Sequence, residues 1–478
     1  MNFKLVLRLA GTTLLLEAGL LALPLAVSLG YGEDPMPFVW TMLLLLGAGF
    51  GLRRLRSGTD FFAREGFFTV ALIWGLMSAF GALPFRFSGL FGSYVDCLFE
   101  TVSGFTTTGA TILTAIEVLP HGLLFWRSFT HWLGGMGVLI LTTALFPRLG
   151  INSAYLIQAE SPGPVPSKLV PKSSQSSKIL YSIYLALTVL EMLCLRAAGM
   201  GWFDAVNHAF ATAGTGGFST RNLSVGAYQS AAIDIIITVF MLLFSVNFTC
   251  YFLVLVGKWK RALGSDELRF FCVMVAASIL VISVNILPMY DGFLTSLRHA
   301  AFQVASIVST TGFSTVDFNQ WPEFSRMLLV VLMFIGACAG STGGGIKCAR
   351  ILVLGKSLNK EIKKIVHPRS VNVVKLDGEV VEEGTLTSIQ VFFVAYLFTL
   401  FAGALIVGLD NYSFGTNLTA VLACVSNVGP GLELVGPMGN FSVFSDLSKL
   451  VLTLCMIIGR LEIFPVLVLT SPMAWKRN

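Results

Sequence analysis

A short glycine-centred signature occurs four times in this chain, and nothing else in the sequence limits the possible folds as severely. It reads Thr106-Thr107-Thr108-Gly109-Ala110-Thr111, then Gly214-Thr215-Gly216-Gly217-Phe218-Ser219-Thr220, then Ser309-Thr310-Thr311-Gly312-Phe313-Ser314-Thr315, and last Ser426-Asn427-Val428-Gly429-Pro430. The central glycines lie 108, 95 and 117 residues apart. Self-similarity at this spacing implies a repeated architectural unit. One such tripeptide alone would read as a turn or a helix contact; four in series do not.

The rest of the chain places these loops in a membrane. Of its 478 residues, 55% are hydrophobic and 12% charged, and the mean hydropathy is +0.79; soluble domains carry about twice that charge. Apolar runs long enough to cross a bilayer fall near 5–29, 36–52, 67–86, 123–146, 179–200, 230–256, 268–289, 326–339 (continuing past a glycine-rich break), 387–408 and 447–471. The reading is an all-α integral membrane protein of about ten spans. The first run follows Lys4 and Arg8 and has a long apolar core, so it reads as a retained helix.

Basic residues mark alternate connections: Arg53, Arg54, Arg56 and Arg64; Arg148, Lys168, Lys172 and Lys178; Lys258, Lys260 and Arg261; and the stretch from Lys347 to Arg369. The positive-inside tendency puts these loops and both termini in the cytoplasm. The formal charge of +6 is thereby a topological signal and implies no nucleic-acid partner. All four signatures then face outward. Each follows a segment too short to span, near 94–105, 203–213, 295–308 and 414–425, which reads as a half-helix entering and leaving the membrane.

Such loops suit a cation. An ion entering a low-dielectric pore loses hydration water, and rings of backbone carbonyls replace it. Glycine allows the positive φ that turns successive carbonyls inward, and the C-terminal end of each half-helix favours positive charge. Other chemistry is poorly supported. The 8 cysteines form no C-x-x-C pair, and His131, His208 and His299 lack metal-ligand spacing. Gly340 to Gly345 is not a nucleotide-binding loop, because Ile346 stands where that loop needs Lys. No nucleophile constellation indicates an enzyme. Asp96, Glu100 and Asp204 could attract cations or serve as caps, and Trp126, Trp132, Trp202 and Trp321 read as interfacial belts. Asp377-Gly378 between alternating apolar residues predicts a hairpin.

The chain resembles the Trk/Ktr/HKT superfamily of potassium transporters, most closely its bacterial TrkH-type branch. The resemblance rests on the signatures and on Trp126 to Gly137, Ala159-Glu160-Ser161-Pro162-Gly163-Pro164, Ala339-Gly340-Ser341-Thr342-Gly343-Gly344-Gly345-Ile346-Lys347, His367-Pro368-Arg369 and Gly459-Arg460-Leu461-Glu462. It implies two extra N-terminal spans and four span/half-helix/filter-loop/span repeats in pseudo-four-fold symmetry around one pore. The corresponding segments are 1–60, an extension; 65–150, 176–260 and 266–355, the first three repeats; 356–386, a cytoplasmic linker; and 387–478, the fourth repeat.

By the same resemblance potassium is both the transported and the bound ion. It would be held by Thr107, Thr108 and Gly109; Thr215, Gly216 and Gly217; Thr310, Thr311 and Gly312; and Asn427, Val428 and Gly429. Glycine at 109 favours potassium, since sodium-preferring plant relatives often carry Ser there. The fourth loop departs most from the pattern. Gly340, Ser341, Thr342, Gly343, Gly344, Gly345 and Lys347 would form an intramembrane gate. Arg460, a charge at membrane depth and so presumptively functional, would sit beneath the filter. The family further implies a TrkA-like cytosolic nucleotide-binding ring as partner, no nucleotide on this chain itself, a homodimer, and a bacterial inner membrane. A proton- or sodium-coupled symporter is the alternative, with Glu191 and Asp234 as candidate coupling carboxylates.

Overall fold

A computed structural model describes residues 2–55, 63–137, 173–370 and 372–466. The stretch 159–164, Arg56, Arg148, Lys168, Lys172 and the C-terminal tail lie outside the described residues. The described residues are almost wholly helical. In chain order the helices are α1 (Phe3–Leu20), α2 (Ala22–Tyr31), α3 (Met36–Arg53), α4 (Ala63–Gly81), α5 (Leu83–Phe87), α6 (Tyr94–Phe105) and α7 (His121–Gly135). After the undescribed stretch come α8 (Ser173–Ala197), α9 (Trp202–Ala213), α10 (Ala231–Ser245), α11 (Phe248–Leu255), α12 (Trp259–Leu263) and α13 (Asp266–Asn285). The remainder are α14 (Phe293–Val308), α15 (Glu323–Ile335), α16 (Cys348–Val366), α17 (Glu383–Val407), α18 (Phe414–Ser426) and α19 (Asp446–Arg460).

Among the described residues, six stretches are long and apolar enough to cross a bilayer: Phe3–Tyr31, Met36–Arg53, Glu65–Phe87, Lys178–Ala197, Asp266–Asn285 and Glu383–Asp410. The pair α10 and α11 would add a seventh if taken as one span. The N-terminal helices pack tightly, since α1 and α3 cross where Gly11 meets Gly49 and an added Cβ on Gly11 would come 2.8 Å from the Gly49 carbonyl oxygen. Glu33 then caps α7, accepting from the amides of His121 at 2.7 Å and Gly122 at 3.0 Å.

Four expectations from sequence need correction. The run 230–256 is not one straight span: it bends by 91° at Val246-Asn247. The helix that should begin near 326 ends at Ile335, and the chain is irregular until Cys348. Arg460, which the apolar run 447–471 places well inside a span, is the last residue of α19. Trp126 and Trp321 are buried and donate to Gly81 O and Tyr290 Oη, each at 3.0 Å, so neither belongs to an interfacial belt. The predicted hairpin is present, with Lys375 opposite Val380 and Leu376 opposite Glu379. Its turn residues Asp377 and Gly378 have φ of 52° and 86°, the pattern of a type I′ turn.

Candidate functional site

The four short helices α6, α9, α14 and α18 have 12, 12, 16 and 13 residues, and all four end in the same backbone motif. Thr107, Thr215, Thr310 and Asn427 adopt left-handed φ of 54°, 54°, 61° and 55°. The next amide in each loop bonds back to the helix: Thr108 N to Ser103 O, Gly216 N to Ala211 O, Thr311 N to Ser306 O and Val428 N to Ala423 O, at 2.8 to 2.9 Å. This is a Schellman termination, which glycine usually occupies because a side chain is strained there. A β-branched Thr at such φ costs on the order of 1–3 kcal/mol and persists only where its surroundings impose it. The glycine signature pointed to positive φ at Gly109, Gly217, Gly312 and Gly429, whose φ are 79°, 77°, 84° and 97°; the strained Thr two residues earlier was not legible from it.

These loops meet one another in cyclic order. A Cβ placed on Gly109 would lie 1.9 Å from the carbonyl oxygen of Gly216. On Gly217 it would lie 2.0 Å from that of Thr311, on Gly312 2.2 Å from that of Val428, and on Gly429 2.7 Å from that of Thr108. Each central glycine thus abuts the carbonyl just before the central glycine of the next loop, and the fourth closes on the first. No side chain fits at the first three positions. Side chains brace the ring from behind: Thr106 and Thr108 hydroxyls lie 2.8 Å apart, and Ser309 and Thr311 hydroxyls 2.6 Å apart. Asn427, in the loop that departs most from the pattern, donates to Thr108 Oγ1 at 2.9 Å and Met456 O at 3.0 Å, joining the fourth loop to the first.

The twelve residues read as filter from sequence are therefore brought together. So are the gate candidates. Below the ring lies a cavity of about 140 Å³ lined by Gly340, Ser341, Gly343 to Gly345, Lys347, Asn427 and Arg460, among others. The segment after α15 runs under the third and fourth loops: Gly344 N donates to Thr310 Oγ1 at 2.7 Å and Gly345 N to Ser426 O at 2.9 Å. Lys347 donates to Gly343 O within the segment. Arg460 reaches across the cavity, donating to Thr342 O at 2.9 Å and to Gly134 O and Gly135 O at 2.5 and 2.8 Å. Its near neighbour Glu462 pairs with Arg350.

The same segment explains the broken helix. In a continuous helix Phe248 N would donate to Phe244 O. Instead Phe248 N donates to Gly340 O at 3.0 Å, and Phe244 O accepts from Thr342 Oγ1 at 3.2 Å. Ser245 O accepts from Cys338 N at 3.1 Å, and Asn247 Oδ1 caps Thr249 N at 2.8 Å. Exposed backbone groups at membrane depth need such partners, and the glycine-rich segment supplies them. Glu267, on α13, holds the far end in place by accepting from Ala339 N at 2.6 Å and Ala349 N at 3.0 Å.

The remaining singled-out residues, Glu191 apart, are held by protein partners. Glu100 pairs with Arg127 at 2.5 Å with both side chains buried, and it also accepts from Thr111 Oγ1 and Ile112 N. Arg127 donates to Ser219 O at 3.0 Å and lies over the Phe218 ring, so it links the first and second loops; a charge within an apolar stretch was the signal that could have found it. Asp96 pairs with Lys449 at 2.6 Å, Asp204 accepts from Thr220, and Asp234 faces Arg298 at 3.6 Å. His131, His208 and His299 hydrogen-bond to Gly104 O, Asp204 O and Thr315 Oγ1, and no group of three potential metal ligands occurs among the described residues. Glu191 is fully buried, and the nearby Thr212 hydroxyl donates to His208 O at 2.9 Å. Glu17, equally buried, was not singled out by sequence.

Known proteins resemble this chain over nearly its whole length. The family model for TrkH, a cation transport protein, matches residues 38–477. The Trk system potassium uptake protein TrkH of Salmonella typhimurium is 39% identical over 488 residues, covering 100% of both chains, and that of Escherichia coli K12 is 38% identical over 489 residues with the same coverage. The Trk system potassium uptake protein TrkG of Escherichia coli K12 is 36% identical, covering 95% of this chain and 94% of its own. Among solved structures, the potassium transporter TrkH from Vibrio parahaemolyticus superposes with a TM-score of 0.89 at 35% identity, over 100% of both chains.

Proposed function

This chain belongs to the TrkH family of cation transport proteins, and from that premise we propose that it takes up potassium through a single-chain pore whose filter is the four-loop ring. The observation that carries the reading is the cyclic contact of Gly109, Gly217, Gly312 and Gly429 with the carbonyls of Gly216, Thr311, Val428 and Thr108. Side chains are excluded there, so only backbone oxygens are left to replace the hydration shell of a passing cation. The C-terminal ends of α6, α9, α14 and α18 add partial negative charge at the same point.

The reading extends to control. The segment 340–345 lies across the route below the filter, held by Thr310, Ser426 and Arg460, so the pore is closed in this state and opens when the segment withdraws. A cytosolic TrkA-like ring acting on the cytoplasmic linker, a homodimer, ten spans in four repeats, and both termini on the cytoplasmic side of a bacterial inner membrane complete the proposal. One observation favours the alternative of a proton-coupled symporter, the burial of the Glu191 carboxyl away from any ion pair. Potassium flux into proteoliposomes, with sodium competition and with or without a proton gradient, tests both readings. A gated channel gives potassium-selective flux that follows the potassium gradient alone, and a symporter gives flux that stops when the proton gradient is removed. Absence of potassium flux in the open-gate variants described in the Discussion would overturn the pore.

A further inference from the structure

Beyond the bend at Val246-Asn247, the chain leaves the bundle as an exposed strip. Helix α11 turns by 91° from α10, and Gly257, with φ of 79°, turns the chain again before α12. One side of this strip is anchored: Phe248 and Ala262 are buried, and the Tyr251 hydroxyl donates to Leu243 O at 2.5 Å. The other side is bare. Val254, Leu255, Val256, Trp259 and Leu263 are exposed by 52%, 73%, 53%, 53% and 57%, and Lys258, Lys260 and Arg261 stand among them, also exposed.

None of those three cations forms an ion pair among the described residues, and no Asp or Glu occurs in the sequence between Asp234 and Asp266. A soluble partner would bury a charge-poor centre with charges at its rim. Here bulky apolar side chains and cations alternate along one strip, with a Trp among them, which is the composition of a segment lying at the boundary between acyl chains and headgroups.

We infer that residues 248–263 lie along the inner leaflet and bind anionic lipid headgroups through Lys258, Lys260 and Arg261. The inference rests on the reading that this basic connection faces the cytoplasm. It has a consequence for control: Phe248, the first residue of the strip, donates its amide to Gly340 O, so the seating of the strip on lipid fixes one end of the gate segment. Near an anionic surface each basic residue is worth about fivefold in preference.

The test uses the full chain in vesicles of brominated phosphatidylglycerol or brominated phosphatidylcholine, with Trp259 emission isolated as the difference between wild type and Trp259→Phe. Quenching of Trp259 by the anionic lipid should exceed that by the zwitterionic lipid at least about twofold. The triple variant Lys258→Gln, Lys260→Gln, Arg261→Gln should keep the quenching and lose the difference. Equal quenching of wild type in both lipids would overturn headgroup binding, and no quenching in either would show the strip to be covered by protein, whether a second copy or a cytosolic partner. Quenching needs no ion flow, so potassium flux in the same vesicles reports separately on the pore.

Discussion

The hydroxyl of Thr310, a residue of the third signature loop, accepts a hydrogen bond from the amide of Gly344 in the segment below it, at 2.7 Å. On the proposed reading, filter and gate are therefore one hydrogen-bonded structure when the pore is shut. Thr310→Val keeps the β-branched shape and the same backbone strain but removes the acceptor. A net hydrogen bond of about 0.5–1.5 kcal/mol shifts a two-state equilibrium roughly two- to tenfold, so basal rubidium flux in proteoliposomes without any cytosolic partner should rise by that factor. A variant with unchanged basal flux would separate the filter from the gate.

Much of this site was legible in sequence because its parts are local. The half-helices near 94–105, 203–213, 295–308 and 414–425 appear as Tyr94–Phe105, Trp202–Ala213, Phe293–Val308 and Phe414–Ser426, since a dozen apolar residues followed by a glycine turn encode their own ends. The break at Val246-Asn247 was not legible. Residues 230–256 hold no proline, and the run stays mostly apolar despite Asp234, Ser245 and Asn247; the cause is a segment about ninety residues downstream that takes over the bonds of Phe244, Ser245 and Phe248. Arg460 shows the same limit. Its cost at membrane depth marked it as functional, but its partners, Thr342, Gly134 and Gly135, lie on distant parts of the chain.

The ring contacts grade the four central glycines. An alanine Cβ would meet a carbonyl oxygen at 1.9 Å on Gly109, 2.0 Å on Gly217, 2.2 Å on Gly312 and 2.7 Å on Gly429. Backbone atoms of a closed ring have little room to yield, and overpacking costs about 1–3 kcal/mol or more. Gly109→Ala and Gly217→Ala should lower rubidium flux at least about tenfold and reduce the rubidium-to-sodium ratio. Gly429→Ala should do least to both. The check is paired rubidium and sodium flux for all four variants, and an inverted order would count against the carbonyl ring as the selective element.

Arg460 holds two walls of the cavity together through three hydrogen bonds to carbonyls, and in the proposed pore it adds a fixed positive charge on the path of a cation. Arg460→Gln loses the charge and most of the bonds. Charge-assisted bonds are worth about 1.5–3 kcal/mol, so basal flux should increase on the order of tenfold. Arg460→Lys keeps the charge but, lacking the planar fork, cannot reach Thr342 and Gly134 together; it should fall between wild type and Gln. Reduced flux in a variant that inserts normally would contradict a blocking role.

Glu433, in the loop after the fourth glycine signature, accepts from Ser413 Oγ, from Thr416 N at 3.0 Å and from Thr416 Oγ1 at 2.8 Å, and so caps the start of α18. The Ser413 hydrogen bond holds its carboxyl below the ordinary value of 4.5, helped by Thr416 and opposed by partial burial. A lowered folded value means that the ionised cap stabilises the protein above the unfolded value and that this is lost as pH falls through the folded one. Glu433→Gln should therefore melt below wild type at neutral pH, by an amount of order 0.5 kcal/mol because the group is exposed and screened. The gap should stay constant down to about pH 4.5 and close on further acidification. Melting curves of the two proteins in detergent across that range test it, and a gap that widens in acid would show that the carboxylate does not cap the helix.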